Sequence, residues 1–151
     1  MWFSILDGEV STMFERRDYE RYVSAFNARN YEVLETFFAD DFALENAGFI
    51  VRGKPAFRAF YAFFHDYCRE TVTIRRFFGG EDAFMVNVVI RFEGIKDLSA
   101  AVLAEKGYPG MTVIPRGVAV DVDFLILYEL DADGKIRYIK GAVHEPARPV
   151  A

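Results

Sequence analysis

The chain has 151 residues, 52% of them hydrophobic and 17% aromatic, with 16 Phe. That length suits one domain, and that composition excludes disorder. A net charge of −5, from 23 acids against 18 bases, excludes the basic stripe of a nucleic-acid binder.

The first residues carry no basic segment and meet Asp7 early, unlike a signal peptide. No apolar run reaches the roughly 20 residues of a membrane span. Tyr19, Tyr22, Val23 and Phe26 share one face of a helix that can begin near Val10. Asn30 can cap a second helix carrying Tyr31, Leu34, Phe37 and Phe38. Phe42 to Glu45 reads as a short strand. Pro55, after Arg52-Gly53-Lys54, suits the first turn of a third helix, which carries Phe57, Phe60, Tyr61 and Phe64 and ends near Cys68.

The remainder reads as long antiparallel strands. Thr71 to Phe78 is one, followed by a turn at Gly79-Gly80. Phe84, Val86, Val88, Ile90 and Phe92 then alternate with Met85, Asn87, Val89 and Arg91, the pattern of a half-buried strand. Gly117 to Leu130 and Lys135 to His144 are two more, joined by the turn Asp131-Ala132-Asp133-Gly134. Pro146 and Pro149 mark a loose tail. An excursion, about 95–115, interrupts the strands. Asp97 can cap a short helix there and Gly107 can stop it. It reads either as a lid over a binding site or as a packing appendage or subunit contact.

Several of these residues carry a family resemblance. The run Glu20 to Asn27, the helix end Phe37-Phe38-Ala39-Asp40-Asp41, Arg52-Gly53 before Phe57 to Tyr61, and the hairpin Asp133 to Ile136 occur in an order that resembles the NTF2-like superfamily. That superfamily includes ketosteroid isomerases, limonene epoxide hydrolases and SnoaL-like cyclases. The resemblance implies one α+β domain over residues 1–151 with a helical insertion at about 95–115. Its fold would be a cone, with N-terminal helices packed on a strongly curved antiparallel sheet.

The resemblance also implies roles. Tyr22 matches the tyrosine that donates to a developing oxyanion in ketosteroid isomerases, and Tyr61 matches its hydrogen-bonding partner. Asn46 stands where those isomerases carry their general-base aspartate, and Ile126 falls near their protonated aspartate. Steroid-type isomerisation is therefore not expected. The Arg/Asp pairs of the epoxide hydrolases have no counterpart either, since Asn87, Val89 and Gly141 fall there. Asn46 does resemble their water-positioning asparagine. Phe84, Val86, Val88, Tyr128 and Gly141 would line the interior, with Gly141 leaving space for a ligand.

His65 lies one helical turn after Tyr61 and suits proton transfer. Strict alternation sends Asp121 and Asp123 outward, but a β-bulge could turn Asp123 inward. The expected catalytic set is Tyr22, His65 and Asp123, with Asn46, Tyr61, Phe84, Val86, Val88, Tyr128 and Gly141 binding substrate. No cofactor is expected. No metal is expected either, because no spacing forces His65 and His144 to converge with a carboxylate. The implied function is a cytoplasmic, homodimeric lyase, dehydratase or isomerase. It would act by acid–base chemistry on a hydrophobic, aromatic or polycyclic oxygenated substrate. The alternatives are a non-catalytic carrier of such a molecule and a protein-interaction module. The dimer is expected through an apolar outer sheet face bearing Met85, Val89, Leu125 and Leu127.

Overall fold

The computed structural model describes residues 13–150. The expectations for the first residues, including the helix start near Val10, lie outside them. Helix α1, Arg16–Asn27, begins where the Asp18 carboxylate accepts from the Glu15 amide at 2.8 Å. It buries Tyr19, Tyr22, Val23 and Phe26 along one stripe. Helix α2, Tyr31–Glu35, is capped by the Asn30 side chain, which accepts from the Val33 amide. Strands β1, Phe38–Asn46, and β2, Phe49–Arg52, form a hairpin. Its two turn residues, Ala47 and Gly48, both have positive φ, as a tight two-residue turn requires. The second helix thus stops at Glu35, short of Phe37 and Phe38, and Phe38 opens a strand nine residues long, earlier than the sequence suggests. Helix α3, Lys54–Tyr67, carries Pro55 in its first turn and buries Phe57, Phe60, Phe64 and His65.

Strands β3, Cys68–Phe78, β4, Ala83–Gly94, β5, Ala119–Leu130, and β6, Ile136–Pro149, complete one six-stranded sheet. Its order is β2-β1-β6-β5-β4-β3. Neighbours pair antiparallel except β1 and β6, which run parallel. The expected strongly curved antiparallel cone is therefore corrected: the sheet is mixed and open, with β2 and β3 as its edges, and is neither closed nor strongly curved. The parallel seam arises because the last strand returns to lie beside the first.

Alternation along β4 puts Phe84, Val86, Val88 and Ile90 on the face covered by α1 and α3, all nearly without exposure. On the other face Met85 and Leu127 remain 39% and 38% exposed. Strand β6 continues through Pro146 and Pro149, where a tail was expected. β1 pairs β6 only as far as Lys140. Beyond that point β6 has a free edge on one side, where proline costs no ladder bond.

Between β4 and β5 the chain forms a bridge, Leu98 to Ile114, around helix α4, Ala100–Lys106. Ser99 caps this helix by accepting from the Val102 amide, and Gly107 ends it at φ +91°. Asp97 instead accepts from the Arg116 amide. Tyr108 packs its ring on Phe49 and Phe60 at 4.8 and 4.9 Å. A Cβ on Gly110 would stand 2.2 Å from the Ala47 carbonyl oxygen, so the loop lies hard against the β1–β2 turn.

Candidate functional site

Two adjoining cavities lie between the helices and the covered sheet face. The inner one, of about 90 Å³, is walled by side chains including Tyr22, Phe26, Tyr61, Glu70, Ile126 and Tyr128. The outer one, of about 340 Å³, takes in Ala47, Thr112, Ile114 and Val143. Asn46, Phe64, Phe92, Met111 and Phe124 border both. The excursion therefore edges the site through Met111 and its neighbours, at the end where Asn46 stands. Such a largely apolar hollow with a few convergent polar groups has the usual form of a small-molecule site.

Three phenols cluster on its inner wall. The Tyr19 and Tyr128 hydroxyls are 2.9 Å apart, and the Tyr22 ring stacks on Tyr19 at 5.3 Å. Tyr22 meets Tyr128 edge-on at 5.7 Å, and the Tyr128 hydroxyl also acts on it. Burial holds all three phenols well above the ordinary tyrosine range, so they are proton donors at neutral pH. Among the described residues no hydrogen bond joins Tyr22 to Tyr61. Tyr61 turns instead toward Phe26, Phe57 and His65, where burial and then the nearby Glu70 push its phenol up.

The carboxyl on the cavity wall is Glu70, in β3. It is 9% exposed and burial raises its pKa above the ordinary carboxylate range. A hydrogen bond from His65 pulls in the opposite direction. His65 Nε2 lies 3.0 Å from Glu70 Oε1, and His65 Nδ1 lies 2.6 Å from the Tyr31 hydroxyl. His65 itself is 4% exposed and sits behind the wall rather than on it.

Asp123 lies on the opposite sheet face. It accepts from the Asn87 side chain at 2.5 Å and stands 3.8 Å from Arg75, in a polar cleft with His144 and Arg148. The register of β5 with β4 is unbroken, so plain alternation turns Phe124, not Asp123, to the cavity, and the irregularities in the β5–β6 ladder do not reverse it. Phe84, Val86 and Val88 face the correct side, but they are core beyond the cavity's inner end, where Phe84 stacks on Tyr128 at 4.6 Å. Tyr22, Tyr61, Asn46, Tyr128 and Gly141 do border the cavity. A Cβ on Gly141 would meet Asn46 Oδ1 only at 3.9 Å, so the glycine leaves room beside that amide. Among the described residues no group of three or more His, Cys, Asp or Glu converges as a metal site would require.

Residues 19–139 match the SnoaL-like domain family. The chain belongs to that family. No protein of curated function matches it. Solved structures with the same fold include a candidate polyketide cyclase from Silicibacter sp., 20% identical over 83% of this chain and 85% of that one, with a TM-score of 0.67. An epoxide hydrolase of the limonene type from Mycobacterium tuberculosis is 16% identical over 84% and 80%, with a TM-score of 0.62. A further M. tuberculosis protein, solved with estradiol-17β-hemisuccinate, is 20% identical over 80% and 85%, with a TM-score of 0.58. At these identities the likeness establishes the SnoaL-like fold.

Glu70 is the site residue that sequence reading misses. With the strand begun at Thr71, Glu70 falls in a loop. Extended by three residues, the alternation puts Cys68, Glu70 and Val72 on the buried face, a carboxylate between two apolar neighbours.

Proposed function

We propose that this SnoaL-like protein is a cofactor-independent lyase, dehydratase or isomerase for a hydrophobic, aromatic or polycyclic oxygenated molecule. The observation that carries this is Glu70, a buried carboxyl with a raised pKa on the wall of an otherwise aromatic cavity. A carboxyl whose acidity is shifted toward neutrality is matched to general acid–base work at physiological pH. Glu70 removes a proton made acidic by a neighbouring carbonyl of the substrate. The Tyr22 hydroxyl donates to that oxygen as negative charge develops on it, and the Asn46 amide orients the ligand at the junction of the two cavities. His65 acts through Glu70. The structural relatives, a candidate polyketide cyclase, an epoxide hydrolase and a protein solved with a steroid, support an oxygenated ring system as substrate.

The test is a panel of cyclic ketones, hydroxyketones and steroids, assayed for conversion by mass spectrometry and for binding by calorimetry. Tyr22→Phe should lower turnover about 10²-fold, roughly 2.7 kcal/mol for one donor to a developing oxyanion. Glu70→Gln should abolish turnover while ligand still binds. Full turnover in Glu70→Gln would refute the assignment. Binding by wild type without conversion of any ligand would make the protein a carrier.

We also propose a cytoplasmic homodimer joined through the uncovered sheet face. Met85 and Leu127 support it, being apolar and more than a third exposed. The free, buried Cys68 suits a reducing compartment. No helix among the described residues is long and apolar enough to cross a membrane.

A further inference from the structure

We propose that Tyr31 and His65 form a proton relay that connects Glu70 to bulk water through the back of the cavity wall. The inference rests on the reading of Glu70 as the acid–base group of the site. Three groups stand in line. Glu70 lines the cavity, His65 is buried behind it, and Tyr31 is half-buried at the start of α2 and borders neither cavity. The links, 3.0 Å from Glu70 Oε1 to His65 Nε2 and 2.6 Å from His65 Nδ1 to the Tyr31 hydroxyl, are both hydrogen-bond distances.

The line is satisfied in two protonation states. With Glu70 ionised, His65 Nε2–H donates to the carboxylate and the Tyr31 O–H donates to Nδ1. With Glu70 neutral, its O–H donates to Nε2, and Nδ1–H donates to the Tyr31 oxygen. Passing from the first state to the second breaks the Tyr31 O–H bond and forms Nδ1–H. It also breaks Nε2–H and forms the Glu70 O–H. Tyr31 then takes a proton from water, so the balance is one proton moved from bulk to Glu70. The reverse sequence returns it. The imidazole ends each passage neutral and in the other tautomer. Ring rotation is no substitute, because Phe26 and Tyr61 pack against the imidazole at 5.7 and 5.0 Å.

The other titratable groups that act on Glu70 and its surroundings are Tyr61 from α3, Tyr22 from α1, Cys68 in β3 and Arg29 between α1 and α2. The three neutral groups are held protonated by burial, and Arg29 keeps one fixed charge. The change in proton count thus falls on Glu70. A relay through the wall lets a ligand fill the cavity without cutting its acid–base group off from solvent.

The test uses the intact protein labelled with ¹⁵N-histidine. The chain has two histidines, so His144→Gln assigns the spectrum. As pH rises through the Glu70 titration, the His65 ring proton should move from Nδ1 to Nε2 with the ring neutral at both ends. Glu70→Gln should lose the switch. Tyr31→Phe should slow exchange of the His65 ring proton with deuterium oxide. A His65 that keeps one tautomer, or is doubly protonated throughout the Glu70 titration, would overturn the relay, as would equal exchange rates in Tyr31→Phe and wild type. If Glu70→Gln stops turnover while His65 never switches, the relay fails and the acid–base reading stands. A switch without conversion of any ligand removes the acid–base reading alone.

Discussion

Removing the Tyr128 hydroxyl isolates the polar lock at the inner end of the cavity. Tyr19 is 1% and Tyr128 3% exposed, and their hydroxyls are 2.9 Å apart. Tyr128→Phe takes away the hydrogen-bond partner of the Tyr19 hydroxyl and leaves it among the rings of Tyr22, Phe77 and Phe84. The cost is that of an unpaired buried group, about 1–3 kcal/mol. Tyr19→Phe is milder, at about 0.5–1.5 kcal/mol, because the Tyr128 hydroxyl can still act on Tyr22. The double variant removes both polar ends, so its loss should fall below the sum of the singles. Urea unfolding of the three variants, at constant m-value, gives the cycle. In a chain of this size each kcal/mol also moves the melting temperature by roughly 2–4 °C. A Tyr128→Phe protein as stable as wild type, or a strictly additive double variant, would refute the reasoning. The lock would then contribute nothing to stability.

Glu70 should also leave a mark on stability against pH. Its native pKa is raised by burial, so the native state holds the proton more tightly than the unfolded chain does. Its stabilising contribution is complete below the unfolded carboxylate pKa, about 4.3, and is lost as pH rises through the higher native value. Relative to wild type, Glu70→Gln should therefore gain stability from acid to neutral pH, read as urea midpoints at several pH values; a constant gap would contradict the shift. Gly110→Ala drives a Cβ to 2.2 Å from the Ala47 carbonyl oxygen and should cost about 1–3 kcal/mol as the loop moves off the β1–β2 turn. An unchanged urea midpoint would show that the loop has slack. For the proposed dimer, sedimentation at micromolar concentration should give twice the chain mass of 17.3 kDa, and Leu127→Glu should halve it; a monomeric wild type would dispose of the interface.

The helices and long strands were legible because burial imposes a period on the sequence. Tyr19, Tyr22, Val23 and Phe26 give 3.6, and Phe84 through Ile90 give 2. The caps at Asn30 and Gly107 were legible from local chemistry alone. The parallel seam was not, since no local pattern in Phe38–Asn46 records which strand lies beside it. Within the site, Asn46 and Gly141 were placed by the family resemblance, and Tyr22 by that resemblance together with its helical stripe. For Asp123 strict alternation gives the outward face that it takes, and the inward turn expected from a β-bulge does not occur, because the β4–β5 register is unbroken. The Glu70–His65 contact joins a helix end to the strand that follows, and its discovery needed the strand to begin three residues earlier.

The seam between β1 and β6 has a consequence for how the chain assembles. Strands β3 to β6 meet their partners in sequence order, but within the sheet the first hairpin pairs with them only through the last strand. Glu45 and Tyr138, hydrogen-bonded across that seam, are 93 residues apart along the chain. Closing so long a loop is entropically slow, so docking of the first hairpin is the late step of folding. During synthesis the early hairpin and helices must wait for almost the whole polypeptide to leave the ribosome. Asn46 and Gly141 meet only when that step is done. The completed cavity is then the last feature a newborn molecule acquires, and a chain stalled before β6 emerges is compact in part but lacks the wall that β6 supplies.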